Sequence, residues 1–196
     1  MQARTSILWR RLDSPGHDAC RLETRARGWS IEGAAAFRLD GTPAGLTYHL
    51  ACDPEWRTEH ARVRGWIGAR AVEFSIERIG GDEWRLDDVG VPGLESCVDL
   101  DLGFTPATNL SQLRRIGLAE GRAADVPVAW FDVSTGRLTE LRQRYERRSA
   151  TDYWYVADAF DYRAVLEVDP AGFVLRYPGL WEAEGIMQGI RDEARR

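Results

Sequence analysis

Cys97-Val98-Asp99-Leu100-Asp101-Leu102-Gly103-Phe104-Thr105-Pro106-Ala107-Thr108-Asn109-Leu110-Ser111-Gln112-Leu113-Arg114-Arg115-Ile116 decides how the chain is read. In its first six residues Val98, Leu100 and Leu102 alternate with Cys97, Asp99 and Asp101. That period of two marks a strand with distinct faces. After Pro106 the period changes. Thr108 or Asn109 can cap a helix, and Leu110, Leu113 and Ile116 form one apolar stripe. The helix is expected to be short, with strand returning over Arg114–Leu118, a turn near Glu120-Gly121 and a further run at Val126–Val133.

Outward from this segment the same alternation dominates. Val72, Phe74 and Ile76 share a face, as do Leu46, Tyr48, Leu50 and Cys52, then Ala164, Leu166 and Val168, and then Phe173, Leu175 and Tyr177. Asp40-Gly41, Gly80-Gly81-Asp82, Ser134-Thr135-Gly136 and Asp169-Pro170-Ala171-Gly172 punctuate the runs as hairpin turns. Pro178-Gly179 reads as a closing corner. Leu138, Leu141 and Tyr145 fit a helix or a strand, and Glu182–Arg196 a helix or a frayed tail. The pattern predicts a mainly β protein built as one long antiparallel meander. All 196 residues form one domain in this reading, with 186–196 as a tail.

Composition narrows the function classes. The formal net charge is -5, and all 26 basic residues other than histidine are Arg, dispersed among 31 acids. No basic stripe suits a phosphate backbone, so nucleic acid is not an expected partner. No apolar run reaches the ~20 residues of an integral membrane helix. The first residues lack the apolar core of an export signal, and three cysteines without metal-type spacing suggest reduced thiols. Both point to a cytoplasmic protein.

Several residues could carry chemistry. Asp99 and Asp101 would project from one strand face roughly 6.5 Å apart, a separation that suits an acid/base pair. The commoner outcome for such carboxylates is solvation or pairing with Arg. Arg114-Arg115 could grip an anionic head group, or one Arg could pair with an aspartate while the other meets solvent. His17, His49 and His60 are scattered; His49 and His60 fall on neighbouring strands, but no further ligand completes a metal site. No metal or cofactor is expected. No nucleophile elbow or phosphate-cradling Gly loop occurs. Eight Trp residues could pack the sheet, stack on sugar faces or line a cavity.

Taken together, Cys97-x-Asp99-Leu100-Asp101-Leu102, Thr105-Pro106-x-Thr108-Asn109 and Leu113-Arg114-Arg115 resemble the signature of the putative glycolipid-binding family. Val128-Ala129-Trp130, Gln143-x-Tyr145, Tyr153–Tyr155, Leu166-x-Val168-Asp169 and Tyr177-Pro178-Gly179-Leu180-Trp181 extend the likeness over nearly the whole chain. It departs at Asn109-Leu110-Ser111-Gln112, where the family pattern has a Thr-Leu-Pro-like run after Asn. The resemblance implies a spiral β-roll, a long antiparallel sheet wound around a single α-helix, assembled as a homodimer. It further implies likeness in shape to lipoprotein carriers of the Lol type.

The expected function is therefore non-enzymatic binding of an amphipathic lipid or glycolipid. The curved sheet would shelter the acyl part, with Trp130, Tyr177 and Trp181 among the contacts. Asp99, Asp101, Asn109, Arg114 and Arg115 would meet the head group. Two alternatives stand beside it. One is a homodimeric interaction module without a small ligand. The other is a hydrolase or isomerase using Asp99 or Asp101, which requires both carboxylates in one concave pocket.

Overall fold

The computed structural model describes residues 4–188. Eight strands come first: β1 Arg4–Arg11, β2 Gly16–Thr24, β3 Trp29–Leu39, β4 Thr42–Cys52, β5 Thr58–Ile67, β6 Arg70–Ile79, β7 Glu83–Leu86 and β8 Val89–Val91. β9 (Asp99–Leu102) then leads into α1 (Asn109–Ile116). β10 Ala123–Asp132, β11 Arg137–Arg147, β12 Asp152–Ala157, β13 Tyr162–Val168, β14 Val174–Tyr177 and β15 Trp181–Gln188 complete the order, with one 3-10 turn at Asp158–Phe160. All fifteen strands belong to one sheet, ordered β8-β7-β6-β5-β4-β3-β2-β1-β15-β14-β13-β12-β11-β10-β9.

Turn chemistry explains most of this. Asp40 and Gly41 both take positive φ (48° and 83°), the backbone that a two-residue hairpin needs. Gly80-Gly81, Gly136 and Gly172 sit at the other predicted hairpins, again with positive φ. Leu138, Leu141 and Tyr145 lie on a strand, with Leu141 opposite Val128 and Tyr145 opposite Ala124.

Three expectations are corrected. Arg114–Ile116 continue the helix, which ends at Gly117 in the left-handed conformation (φ 49°), its N–H reaching Leu113 O at 3.2 Å. Residues 182–188 extend a strand that pairs with β1 from Thr5↔Gln188 to Arg11↔Trp181, so neither helix nor tail describes them. Residues 189–196 lie outside the described segment. Finally, β9 pairs with β10 in parallel. A parallel neighbour requires a crossover connection, and the segment holding α1 provides it.

The sheet is not flat. β8 and β9 are its opposite ends, yet only residues 92–98 join them, a reach of about 25–30 Å. Fourteen spacings in a flat sheet would separate them by roughly 67 Å. Contacts confirm the bend. Phe74 of β6 meets Phe131 of β10 with ring centroids 4.9 Å apart, although eleven spacings divide those strands in the sheet order. Leu100 N–H donates to Thr58 Oγ1 at 2.9 Å, and Thr58 N–H donates to Val98 O at 3.3 Å. The sheet bends back over itself and closes on a single core.

α1 lies in that core: Asn109, Leu110, Ser111, Gln112 and Leu113 are all buried. Its start is not capped by a side chain. Thr108 Oγ1 instead accepts the N–H of Leu102 at 3.2 Å, tying the helix to β9. Trp9 is fully buried and donates its indole N–H to Val174 O at 2.6 Å, fastening β1 to the far side of β15.

Candidate functional site

A buried α-helix with a polar first turn must satisfy its side chains internally. Tyr145 of β11 does this: its hydroxyl accepts from Asn109 Nδ2 and donates to Gln112 Oε1, both at 2.8 Å. Two residues along the same strand, Gln143 Nε2 donates to Asp101 Oδ2 at 2.6 Å. Gln112 Nε2 is near enough to favour the Asp101 anion but has no hydrogen bond of normal geometry. The result is a buried polar layer between α1, β9 and β11.

Above this layer the core does not close. A cavity of about 340 Å³ opens beside the helix, with Asp101 and Asn109 on its floor. Its walls are six aromatic rings, Trp130, Tyr155, Phe160, Tyr162, Tyr177 and Trp181. Tyr155, Tyr162 and Tyr177 form a triangle with centroids 5.4–6.1 Å apart. Trp130 meets Phe160 edge-on at 5.2 Å. Gly103 makes room for Trp130: a Cβ there would lie 2.5 Å from its indole nitrogen. Tyr162 is anchored to the corner by donating to Pro178 O at 2.5 Å.

Of the eight candidates named from sequence, Asp101, Asn109, Trp130, Tyr177 and Trp181 line this one cavity. Asp99, Arg114 and Arg115 do not. Asp99 is fully buried, and Arg115 Nε and Nη2 grip it at 2.7–3.0 Å. The pairing is the ordinary fate of an Arg beside an aspartate, and neither residue lines the cavity. Arg114 is exposed and stands 5.7 Å from the Trp56 ring, which stacks on Trp29. Tyr155, Phe160 and Tyr162 were not singled out as contacts. The sequence marks Tyr155 only through the Tyr153–Tyr155 stretch of the family resemblance.

Burial raises the Asp101 pKa to about 6, against the hydrogen bond from Gln143, which favours the anion. Asp18 has the same shift, to about 6, and the same cause. It sits behind the cavity wall, where Tyr48 OH (2.8 Å) and Thr105 Oγ1 donate to its Oδ2 and its Oδ1 is buried without a partner. Thr105 itself lines the cavity. Burial also raises Asp99, and the Arg115 bonds oppose the rise.

Elsewhere the chemistry is sparse. His49 and His60 do approach, with rings 5.7 Å apart, and His49 Nε2 bonds Ser30 Oγ at 2.9 Å. Among the described residues no group of three His, Cys, Asp or Glu is placed to hold a metal. Cys20, Cys52 and Cys97 are free thiols, all buried. No helix among the described residues is long and apolar enough to cross a membrane.

Comparison with known proteins agrees with this architecture. PA1994, a DUF1089 family protein of Pseudomonas aeruginosa, has a crystal structure that superposes with a TM-score of 0.76 at 27% identity, covering 85% of this chain and 91% of that one. A β-barrel-like protein of the DUF1849 domain from Brucella abortus superposes at 0.50 with 8% identity, covering 95% and 98% of the two chains, a likeness of fold alone. No curated protein matches. The family model described as "Putative glycolipid-binding" matches residues 6–183. The chain therefore belongs to the putative glycolipid-binding family.

Proposed function

We propose that the protein binds an amphipathic molecule without transforming it, taking the polar head into the aromatic cavity. One observation carries the reading: a cavity of about 340 Å³ beside α1, walled by aromatic rings and floored by Asp101 and Asn109. Concave, mostly apolar sites with a few convergent polar groups are the usual form of small-molecule sites. The cavity's polar floor suits a hydroxyl-bearing head better than an acyl chain, because hydrocarbon laid against Asp101 and Asn109 would leave their remaining hydrogen-bonding capacity unmet. The head therefore enters and the tail leaves by the mouth, reversing the arrangement expected from sequence. Asp101 and Asn109 accept and donate hydrogen bonds to ring hydroxyls, while Trp130 and Trp181 present apolar surface to sugar C–H groups.

The hydrolytic alternative lacks its second carboxylate. Asp99 is held by Arg115 outside the cavity, so no pair of acids flanks a bound bond. Self-association belongs to the binding reading: exposed Leu8, Ile186 and Met187 share one outer groove where β1 meets β15.

Native mass spectrometry with octyl β-glucoside tests the reading. A one-to-one adduct is expected, and Trp130→Ala or Trp181→Ala should weaken it by roughly 30-fold, as for a central anchor worth about 2 kcal/mol. If no adduct forms, or if both variants bind as the parent does, the cavity is not the binding site.

A further inference from the structure

Asp101 is a carboxylate without a counter-ion. Its residue is only 8% exposed. Among the described residues no Arg or His lies in ion-pair reach of it, whereas Asp99, the nearest comparable acid, has Arg115 at 2.7 Å. The polar side chains that favour its anion, Gln143 at hydrogen-bond distance and Gln112 and Thr108 less directly, are all neutral. Its surroundings are the Tyr145, Tyr155 and Tyr177 rings and the Asp99 charge, which favours no second anion nearby. Arg11 lies 5.5 Å from the Trp181 ring but is bound to Asp13 at 2.6 Å and does not line the cavity.

A buried acid facing a cavity of aromatic rings is an incomplete electrostatic arrangement. A neutral head group would strip the remaining water from Asp101 and supply no charge in return. A cation completes it twice over: it pairs with the carboxylate, and it is attracted by the negative faces of the rings. We infer that the head group recognised here carries a positively charged nitrogen, as an amino sugar or an alkylammonium, held between Asp101 and the aromatic wall. This deepens the binding reading above and rests on it. Asp101 selects the nitrogen, and Asn109 and Thr105 are left for hydroxyls.

The test is calorimetric titration of the whole chain at pH 7, below micelle-forming concentrations, with four octyl probes: β-glucoside, 2-amino-2-deoxy-β-glucoside, ammonium and trimethylammonium. The amino glucoside should bind at least about tenfold more tightly than the glucoside. Asp101→Asn, which keeps the shape and removes the charge, should erase that preference. If the alkylammoniums share the preference, the nitrogen alone is read; if only the amino sugar has it, ring and nitrogen are read together. Either result supports the inference. Equal or tighter binding of the glucoside overturns it and leaves the binding reading intact. If none of the four binds, the binding reading falls too. Should Asp101→Asn fail to fold, the comparison of the four probes on the parent protein still decides.

Discussion

Arg115→Ala is expected to lower the unfolding free energy by about 3–5 kcal/mol at pH 7.5, the cost of leaving a buried charge unpaired. Asp99 is fully buried, and its three hydrogen bonds from side chains all come from Arg115. Without that Arg, Arg78 of β6 is the cation whose field still reaches it, from farther away. Asp99 would then escape its burial by taking a proton. Two features make the expectation specific. The loss should shrink at pH 5, where protonation is easier. Asp99→Asn introduced together with Arg115→Met should also restore much of the stability, because a neutral pair needs no counter-charge. Urea denaturation of the three proteins at both pH values measures this. A loss below about 1 kcal/mol for Arg115→Ala would mean that the pair behaves like a surface ion pair.

Stability is also expected to increase on mild acidification, the reverse of the usual acid sensitivity. Burial raises the pKa values of Asp18 and Asp101 to about 6 in the folded protein, from 3.8 for a free aspartate side chain. Between those limits the folded protein binds more protons than the unfolded one. Unfolding free energy therefore falls as pH rises from about 4 to about 6 and is level above. Across the whole window each group contributes about 3 kcal/mol, at roughly 1.4 per pKa unit. Glu32, Asp132 and Glu140, whose pKa values are lowered by hydrogen bonds at the surface, act in the opposite sense, but solvent screens such groups. Asp18 and Asp101 together contribute a gain of about 2–3 kcal/mol on going from pH 7.5 to pH 5, and His49 and His60, whose pKa values burial lowers, reduce it because folding opposes their protonation. Asp101→Asn should be at least as stable as the parent at pH 7.5 and should lose about half of the pH slope. Lower stability at pH 5 than at pH 7.5 would show that both acids reach solvent.

Much of the fold was legible because local chemistry and tertiary structure agree. Asp40-Gly41 admits the positive φ that its hairpin uses, and Thr108-Asn109 marks the change from strand to helix. Tyr145 was ambiguous because Leu138, Leu141 and Tyr145 satisfy both periods. Pairing with β10 and β12 settles it as strand, a contact between distant segments that no local pattern encodes. The burial of Asp99 and Asp101 was hidden for a related reason. Alternation separates the two faces of β9, but it does not reveal that α1 and β11 cover the acid side, so all four of its residues are buried. The site was half visible. Asp101 and Asn109 stood out as polar groups in apolar scaffolding, and Trp130 and Trp181 by residue type. Tyr155, Phe160 and Tyr162 come from β12, β13 and the turn between them, and only the bend of the sheet brings them over the helix.

The pairing of β1 with β15 has a consequence during synthesis. Strands β1–β8 can form hairpins in sequence as they leave the ribosome, but β15, the second neighbour of β1, is the last described strand to be made. Until it arrives, Ile7 and Trp9, both buried in the finished protein, lie on an open strand able to pair with another chain. Such a molecule would be most vulnerable to aggregation while it is being translated, and least so once its two ends have zipped together.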